Sequence, residues 1–171
     1  MADIPAILVE KLSFRYRDRQ DLALKDISLR IEPGELILLA GTSGSGKTTL
    51  LRCLNGLIPR SYKGEMQGNI QIQGQEISQL KLSQMVGTVL QDPERQILGS
   101  RVKNEVAFGL ENLGLTRQEI QERVDFALEY LNIAYLRDRE TFSLSGGEKQ
   151  KVALAGVLAA VVDHHHMRAS R

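Results

Sequence analysis

The sequence predicts an α/β fold, and three observations carry that prediction. LILLA at 36–40 is a continuous apolar run with the length of a strand buried on both faces, as in a parallel sheet covered by helices. A glycine-rich segment, GTSGSGKT at 41–48, follows it and leads into TLLRCLNGL, where Leu50, Leu51, Leu54 and Leu57 recur at helical spacing. Residues 100–131 then carry two apolar stripes of helical period.

The elements follow in chain order. Residues 7–16, ILVEKLSFRY, mix short apolar runs with polar residues and read as a strand. LKDISLRI at 24–31 places Ile27, Leu29 and Ile31 on one face at period two. EPGE at 32–35 is a turn punctuated by Pro33 and Gly34, ahead of the buried strand at 36–40. The first helix follows the glycine-rich segment, with Gly56 near its end. GNIQIQG at 68–74 is a short strand between glycines, and MVGTVLQ at 85–91 is another strand. Val102, Val106, Leu110 and Leu113 form a stripe that ends at Gly114. Thr116 and Glu119 make a T-x-x-E capping box, which satisfies two exposed backbone donors at a helix start. Ile120, Val124, Leu128 and Leu131 are the stripe of that second helix. Ser145 with Glu148 is a second box, opening a helix that runs into KVALAGVLAAVV. The stripes are core or interface faces and carry no chemistry.

Composition narrows the functions. A length of 171 residues suits one domain with a real core. Lys plus Arg is 22 and Asp plus Glu is 21, a balance that gives no electrostatic footprint for nucleic acid. One cysteine, Cys53, excludes an internal disulfide and fits a reducing compartment; it reads as a small buried apolar residue. No apolar run approaches the ~20 residues a membrane-spanning helix needs. MADIPAILVEKLSF has no basic region ahead of an apolar core, so no signal peptide is expected. There are no repeats or low-complexity tracts.

GTSGSGKT fits G-x-x-x-x-G-K-[ST], the phosphate-binding P-loop pattern, between a strand and a helix. Gly41, Gly44 and Gly46 let the backbone turn sharply and bring its N–H groups against phosphate oxygens. Those amides, through Thr42, Ser43 and Ser45, and the positive end of the following helix stabilise the anion. Lys47 would reach the β- and γ-phosphates, the Thr48 hydroxyl would ligate Mg²⁺, and Thr49 completes the nucleotide-binding set. The loop predicts binding of a nucleoside triphosphate. It does not separate a kinase, a GTPase and a transporter motor.

LSGGEKQ at 144–150 separates them. With the P-loop, it resembles the nucleotide-binding subunits of ABC transporters, whose signature is LSGGQ or a close variant; Glu148 stands where glutamine is more usual. The resemblance implies that Ser145, Gly146, Gly147 and Glu148 face ATP held by the P-loop of a partner subunit, the first three on its γ-phosphate. Two small glycines allow close backbone approach, and a helix N-terminus attracts negative charge. Tyr16 matches the aromatic residue that stacks on adenine. Gln91 matches the glutamine that touches the metal or the attacking water and relays movement to the membrane subunit.

Within that family, LNGLIPRSYKGEMQGNI, QDPERQILGSRVKNEVAFGLENLGL and SLSGGEKQKVALAGVLA look like the ATPase subunits of energy-coupling factor transporters, the cobalt and vitamin uptake group. The resemblance covers residues 6 to about 159. It implies a P-loop core with an antiparallel β portion at the N-terminus and a helical insert at about 95–140. It also implies ATP and Mg²⁺ as cofactors. The expected partners are a transmembrane coupling subunit, a substrate-binding membrane subunit and a second ATPase half, identical or different. The expected place is peripheral, at the cytoplasmic face of the cell membrane. The apolar face around 96–113 would seat a coupling helix.

The resemblance stops after residue 159. The family continues to a buried strand ending in Asp-Glu, with the Walker B aspartate expected near Arg168, and later to a histidine. This chain has AAVVDHHHMRASR instead. The general base for water is missing, as is the carboxylate that supports Mg²⁺. VVDH at 161–164 continues the helix, lies too early and puts His164 where glutamate belongs. Three consecutive histidines cannot all point one way on a helix or strand, so they make no metal site. The tail at 160–171 is expected to be aberrant, from a truncated or frameshifted gene, and disordered. The sheet would then lack a central member, leaving apolar surface uncovered.

Three other functions compete. A soluble P-loop switch would need a guanine-reading N-K-x-D or a phosphate-acceptor site; no N-K-x-D occurs, and LSGGEKQ argues against it. A non-catalytic remnant that binds nucleotide weakly or not at all is favoured by the tail. A non-transport ABC ATPase is disfavoured by the segment around Gln91.

Overall fold

A computed structural model describes residues 4–79, 82–92 and 96–161. They form two compact units that divide between Val86 and Gly87.

The first unit is built on strands β1 (Ile7–Tyr16), β2 (Leu24–Ile31), β3 (Gly64–Ile72) and β4 (Gln75–Glu76). They form one antiparallel sheet in the order β2-β1-β3-β4. The strand β1 does not keep a single alternation. Val9 faces the core, and so do Leu12 and Phe14, an odd position followed by two even ones. A bulge explains the change of phase: the register with β3 shifts between Glu10 and Ser13, and Lys11 has φ of 48°. Opposite the bulge lies Gly68, with φ of 92°; a Cβ there would stand 2.5 Å from the carbonyl oxygens of both Glu10 and Lys11. The bulge therefore requires glycine on the neighbouring strand.

Helix α1 (Lys47–Leu54) lies in the core of this unit. Its Leu50, Cys53 and Leu54 join Val9, Leu12, Phe14, Leu24, Ile58 and Ile70 in one cluster. Each fully buried Leu or Phe contributes roughly 1.5–3 kcal/mol relative to exposure. Cys53 is fully buried, as its expected apolar role requires, and burial pushes its thiol up to about 11. The chain leaves α1 through Gly56, in the left-handed region at φ of 72°, into a short turn α2 (Leu57–Arg60).

Two predicted strands are not strands in this structure. Residues 36–40 have no regular structure, and Leu36 and Leu38 are 98% and 89% exposed. Residues 85–91 also form no strand: helix α3 (Leu82–Met85) ends there, and the chain continues without regular structure. Both segments have the apolarity of a central strand. A strand, however, exists only through its hydrogen-bonded neighbours, and among the described residues the sheet contains neither segment.

The second unit is helical: α4 (Val102–Glu111), α5 (Arg117–Tyr130) and α6 (Gly146–Val161). The predicted stripes meet here. Val102, Val106 and Leu110 pack with Val124, Ala127 and Leu128 against Val152, Ala155 and Ala159 of α6. Small residues on α6 let its neighbours close in, and a Cβ at Gly87 would stand 2.1 Å from Val157. Thr116 caps α5 as predicted: its hydroxyl accepts from the Glu119 N–H at 3.3 Å, and Glu119 accepts from the Thr116 N–H at 2.8 Å. The helix α6 runs through Val161, so the first residue of VVDH is helical. Asp163, the histidine run and the rest of the tail at 162–171 lie outside the described residues.

Candidate functional site

The segment 41–46 turns through three glycines with positive φ, 155° at Gly41, 82° at Gly44 and 91° at Gly46. At Gly46 the requirement is doubled: a Cβ would stand 2.6 Å from the Ala23 carbonyl oxygen, so only glycine lets α1 start this close to β2. Residues 41–45 are exposed. The first-turn amides of α1 have no acceptor within the helix, so they point at whatever lies beyond its N-terminus. Lys47, the first residue of α1, folds back over the loop. Its ammonium donates to the carbonyl oxygens of Gly41 at 2.8 Å and Thr42 at 2.6 Å, and to Ser45 Oγ at 3.2 Å. The loop thus holds one cation in a ring of neutral acceptors. A phosphate oxygen is charged and accepts more strongly than any of them.

Thr48 is exposed, while Thr49 is buried and shares a hydrogen bond of 3.1 Å with the Tyr16 hydroxyl. Tyr16, at the end of β1, is half-buried and lies edge to face with Phe14 and Tyr62, ring centres 4.8 and 6.5 Å away. The structure therefore brings Tyr16 to the first turn of α1. It adds a residue that sequence reasoning missed: Arg52 donates to the Tyr16 hydroxyl at 3.3 Å and lies 4.2 Å over the Tyr62 ring. Beside Tyr16 opens a cleft of about 750 Å³, whose rim carries Arg15, Arg17, Arg19, Arg60 and Lys63. Glu65 on the same rim is paired with Arg15 at 2.7 Å. The chain is nearly neutral, yet this face carries an excess of positive charge, which attracts anions to the cleft.

Gln91 and the segment 144–148 belong to the second unit. Gln91 is exposed at the end of 86–90. Ser145 caps α6 through the predicted box: its N–H and hydroxyl donate to Glu148 at 2.8 and 2.7 Å, and its Oγ accepts from the Glu148 N–H at 3.3 Å. These bonds hold the Glu148 carboxyl below the usual carboxylate range, the side-chain bond from Ser145 contributing most. Gly146 and Gly147 form the first turn. A Cβ at either would meet nothing within 4 Å, and neither has positive φ. Among the described residues nothing packs so as to demand glycine there, although each costs a helix about 0.8–1.0 kcal/mol relative to alanine.

Comparison with known proteins agrees with this layout. The family model described as ABC transporter matches residues 24–163. The chain is 46% identical over 159 residues to the energy-coupling factor transporter ATP-binding protein EcfA1 of Bacillus subtilis, covering 92% of this chain and 56% of that protein. Among solved structures, cbiO1 from Clostridium perfringens, part of the ABC transporter complex cbiONQ, superposes with a TM-score of 0.80 at 33% identity, covering 97% of this chain and 70% of that one. A bacterial Atm1-family ABC exporter solved with ATP bound superposes with a TM-score of 0.71 at 29% identity, covering 94% of this chain and 28% of the exporter. The chain spans only part of the curated relatives it matches, 28% of one and 56% of EcfA1. A P-loop turn at the start of α1, a capped glycine pair at the start of α6 and a family match across most of the sequence place this chain in the ABC transporter family.

Proposed function

We propose that this chain is the ATP-binding part of an ABC importer of the energy-coupling factor type. The carrying observation is the turn at 41–47, where positive-φ glycines, first-turn amides with no acceptor inside the helix and an ammonium held, among the described residues, by neutral oxygens converge. ATP fits this donor set. The amides and Lys47 are donors with affinity for a triphosphate, and the cationic cleft beside Tyr16 supplies attraction at longer range. Mg²⁺ fits in the way that cation is usually held, by one or two protein oxygens together with substrate phosphates. The exposed Thr48 hydroxyl is one such oxygen; the role of Gln91 at the metal or the attacking water rests on the family resemblance alone. Among the described residues no group of three or more metal-ligating side chains forms a site independent of the nucleotide.

In this reading Tyr16 faces adenine, Thr49 orients it, and Gly41–Thr48 hold the phosphates. Ser145, Gly146, Gly147 and Glu148 face the nucleotide of a second ATPase half, which explains glycines that the packing of the described residues does not need. The names of the relatives place EcfA1 in an energy-coupling factor transporter and cbiO1 in a cbiONQ complex. By that likeness this chain docks on membrane-embedded partners at the cytoplasmic face. No described helix is long and apolar enough to cross a membrane. The stripe Val102, Val106 and Leu110 is core, which leaves the exposed Leu98 and Phe108 as the apolar seat for a coupling helix.

Hydrolysis needs a base for water, and the sequence after Val161 offers a lone Asp163 instead of paired carboxylates. ATP hydrolysis by the chain alone is therefore expected to be slow. A thermal melt with and without Mg·ATP tests the binding reading against a remnant that binds nothing. At a hundredfold excess over Kd, binding stabilises by about 2.7 kcal/mol, and the midpoint rises. An unmoved midpoint at millimolar Mg·ATP contradicts the reading. Brisk phosphate release that a Lys47→Ala change abolishes would contradict the expectation of slow hydrolysis.

A further inference from the structure

Within the second unit, residues 98–103 are laced to residues 137–141. The Thr141 N–H donates to the Ser100 carbonyl at 3.0 Å, and its hydroxyl donates to the Gly99 carbonyl at 2.7 Å. The Val102 N–H donates to Arg139 at 3.0 Å and the Lys103 N–H to Arg137 at 2.9 Å. Lys103 then closes on Asp138 at 2.7 Å. From the other side, one carboxylate oxygen of Glu105 accepts from the N–H groups of Leu98 and Gly99, at 2.8 and 2.6 Å. Gly99 lies so near α4 that a Cβ would stand 2.6 Å from the Glu105 nitrogen.

Both ends of this lacing lead to segments read above as facing nucleotide. Upstream, Gln96 accepts from the Leu90 N–H at 2.9 Å and donates to the Thr88 carbonyl at 3.3 Å, which braces the residues just before Gln91. Downstream, the Thr141 carbonyl accepts from the Leu144 N–H at 3.4 Å, and the next residue, Ser145, caps α6.

We propose that this strap ties the position of Gln91 to the Ser145–Glu148 turn, with Gln96, Glu105 and Thr141 as positioning residues. Thr141 is 6% exposed, and its hydroxyl reaches one carbonyl closely and Ser100 at 3.4 Å. Residues 98–100 cannot shift without either stranding that buried hydroxyl or carrying Thr141, and with it the start of α6. A displacement at one nucleotide-facing segment thus reaches the other through hydrogen bonds. The coupling role rests on the proposed function of Gln91 and Ser145; the strap itself does not.

Amide hydrogen exchange on the full chain, without nucleotide, tests it. Thr141→Val keeps the volume and the backbone bonds but removes the hydroxyl donor. The amides of Leu98 and Gly99 are expected to exchange about fivefold faster, and those of Ser145 and Glu148 to follow, while interior amides of α5 stay protected. Thr141→Ser restores the original rates. Gln96→Ala, at a partly exposed position, speeds exchange at Leu90 and again at Glu148. A change confined to 98–101, with Ser145 and Glu148 unmoved in both variants, overturns the proposal. If Thr141→Val also strips protection from α5, Gln96→Ala decides alone. Failure of the nucleotide reading would look different: the exchange pattern would stand, and Mg·ATP would not bind.

Discussion

Glu148 accepts both the N–H and the hydroxyl of Ser145 through one carboxylate oxygen. An amide oxygen at that position would accept more weakly, because charge strengthens such bonds. The carboxyl is held below its usual range, so its contribution to the start of α6 is complete at neutral pH. It disappears as pH falls through that lowered value. An NMR titration of the Ser145 amide should therefore show one step below the ordinary carboxylate range, absent in Glu148→Gln. A step at the ordinary carboxylate value would show that the box does not hold the charge. Lys47 is also held by near neighbours in sequence: among the described residues its three acceptors lie within six residues of it.

At the scale of elements, the helical unit depends on stripes that interlock. Leu110 is fully buried between α5 and α6, so Leu110→Ala is expected to cost about 3 kcal/mol, measured by chemical denaturation. A loss below 1 kcal/mol would mean that the site collapses to fill the cavity. These helices were legible because a 3.6-residue stripe and a capping box are local patterns, as Val102, Val106, Leu110 and the Thr116–Glu119 box show. Strands are legible only when their partners are present. LKDISLRI formed the strand its alternation predicts, whereas LILLA, more apolar, did not. The phase change across Lys11 could not be read from β1 at all, because the glycine it needs is 57 residues away, at Gly68.

At the scale of the whole chain, the apolar segment 36–40 faces solvent, with Leu36 and Leu38 almost fully exposed. Exposed apolar surface of this kind drives association. The chain is expected to bind a hydrophobic dye and self-associate in sedimentation, and Leu36→Lys with Leu38→Lys is expected to reduce both. Undiminished association in that variant would place the sticky surface elsewhere. The candidate site was legible where it is contiguous, at 41–48 and 144–148. Arg52 on Tyr16 and Thr141 on Gly99 join residues 36 and 42 positions apart, and no window of sequence announces such pairs.

The turn at 41–48 is proposed to hold a triphosphate through backbone amides and Lys47. Titration calorimetry of the chain with Mg·ATP, beside a Lys47→Ala chain whose circular dichroism is unchanged, tests it most directly. Saturable heat is expected for the unaltered chain and none for the variant. Equal heat from both, or none from either, would contradict it.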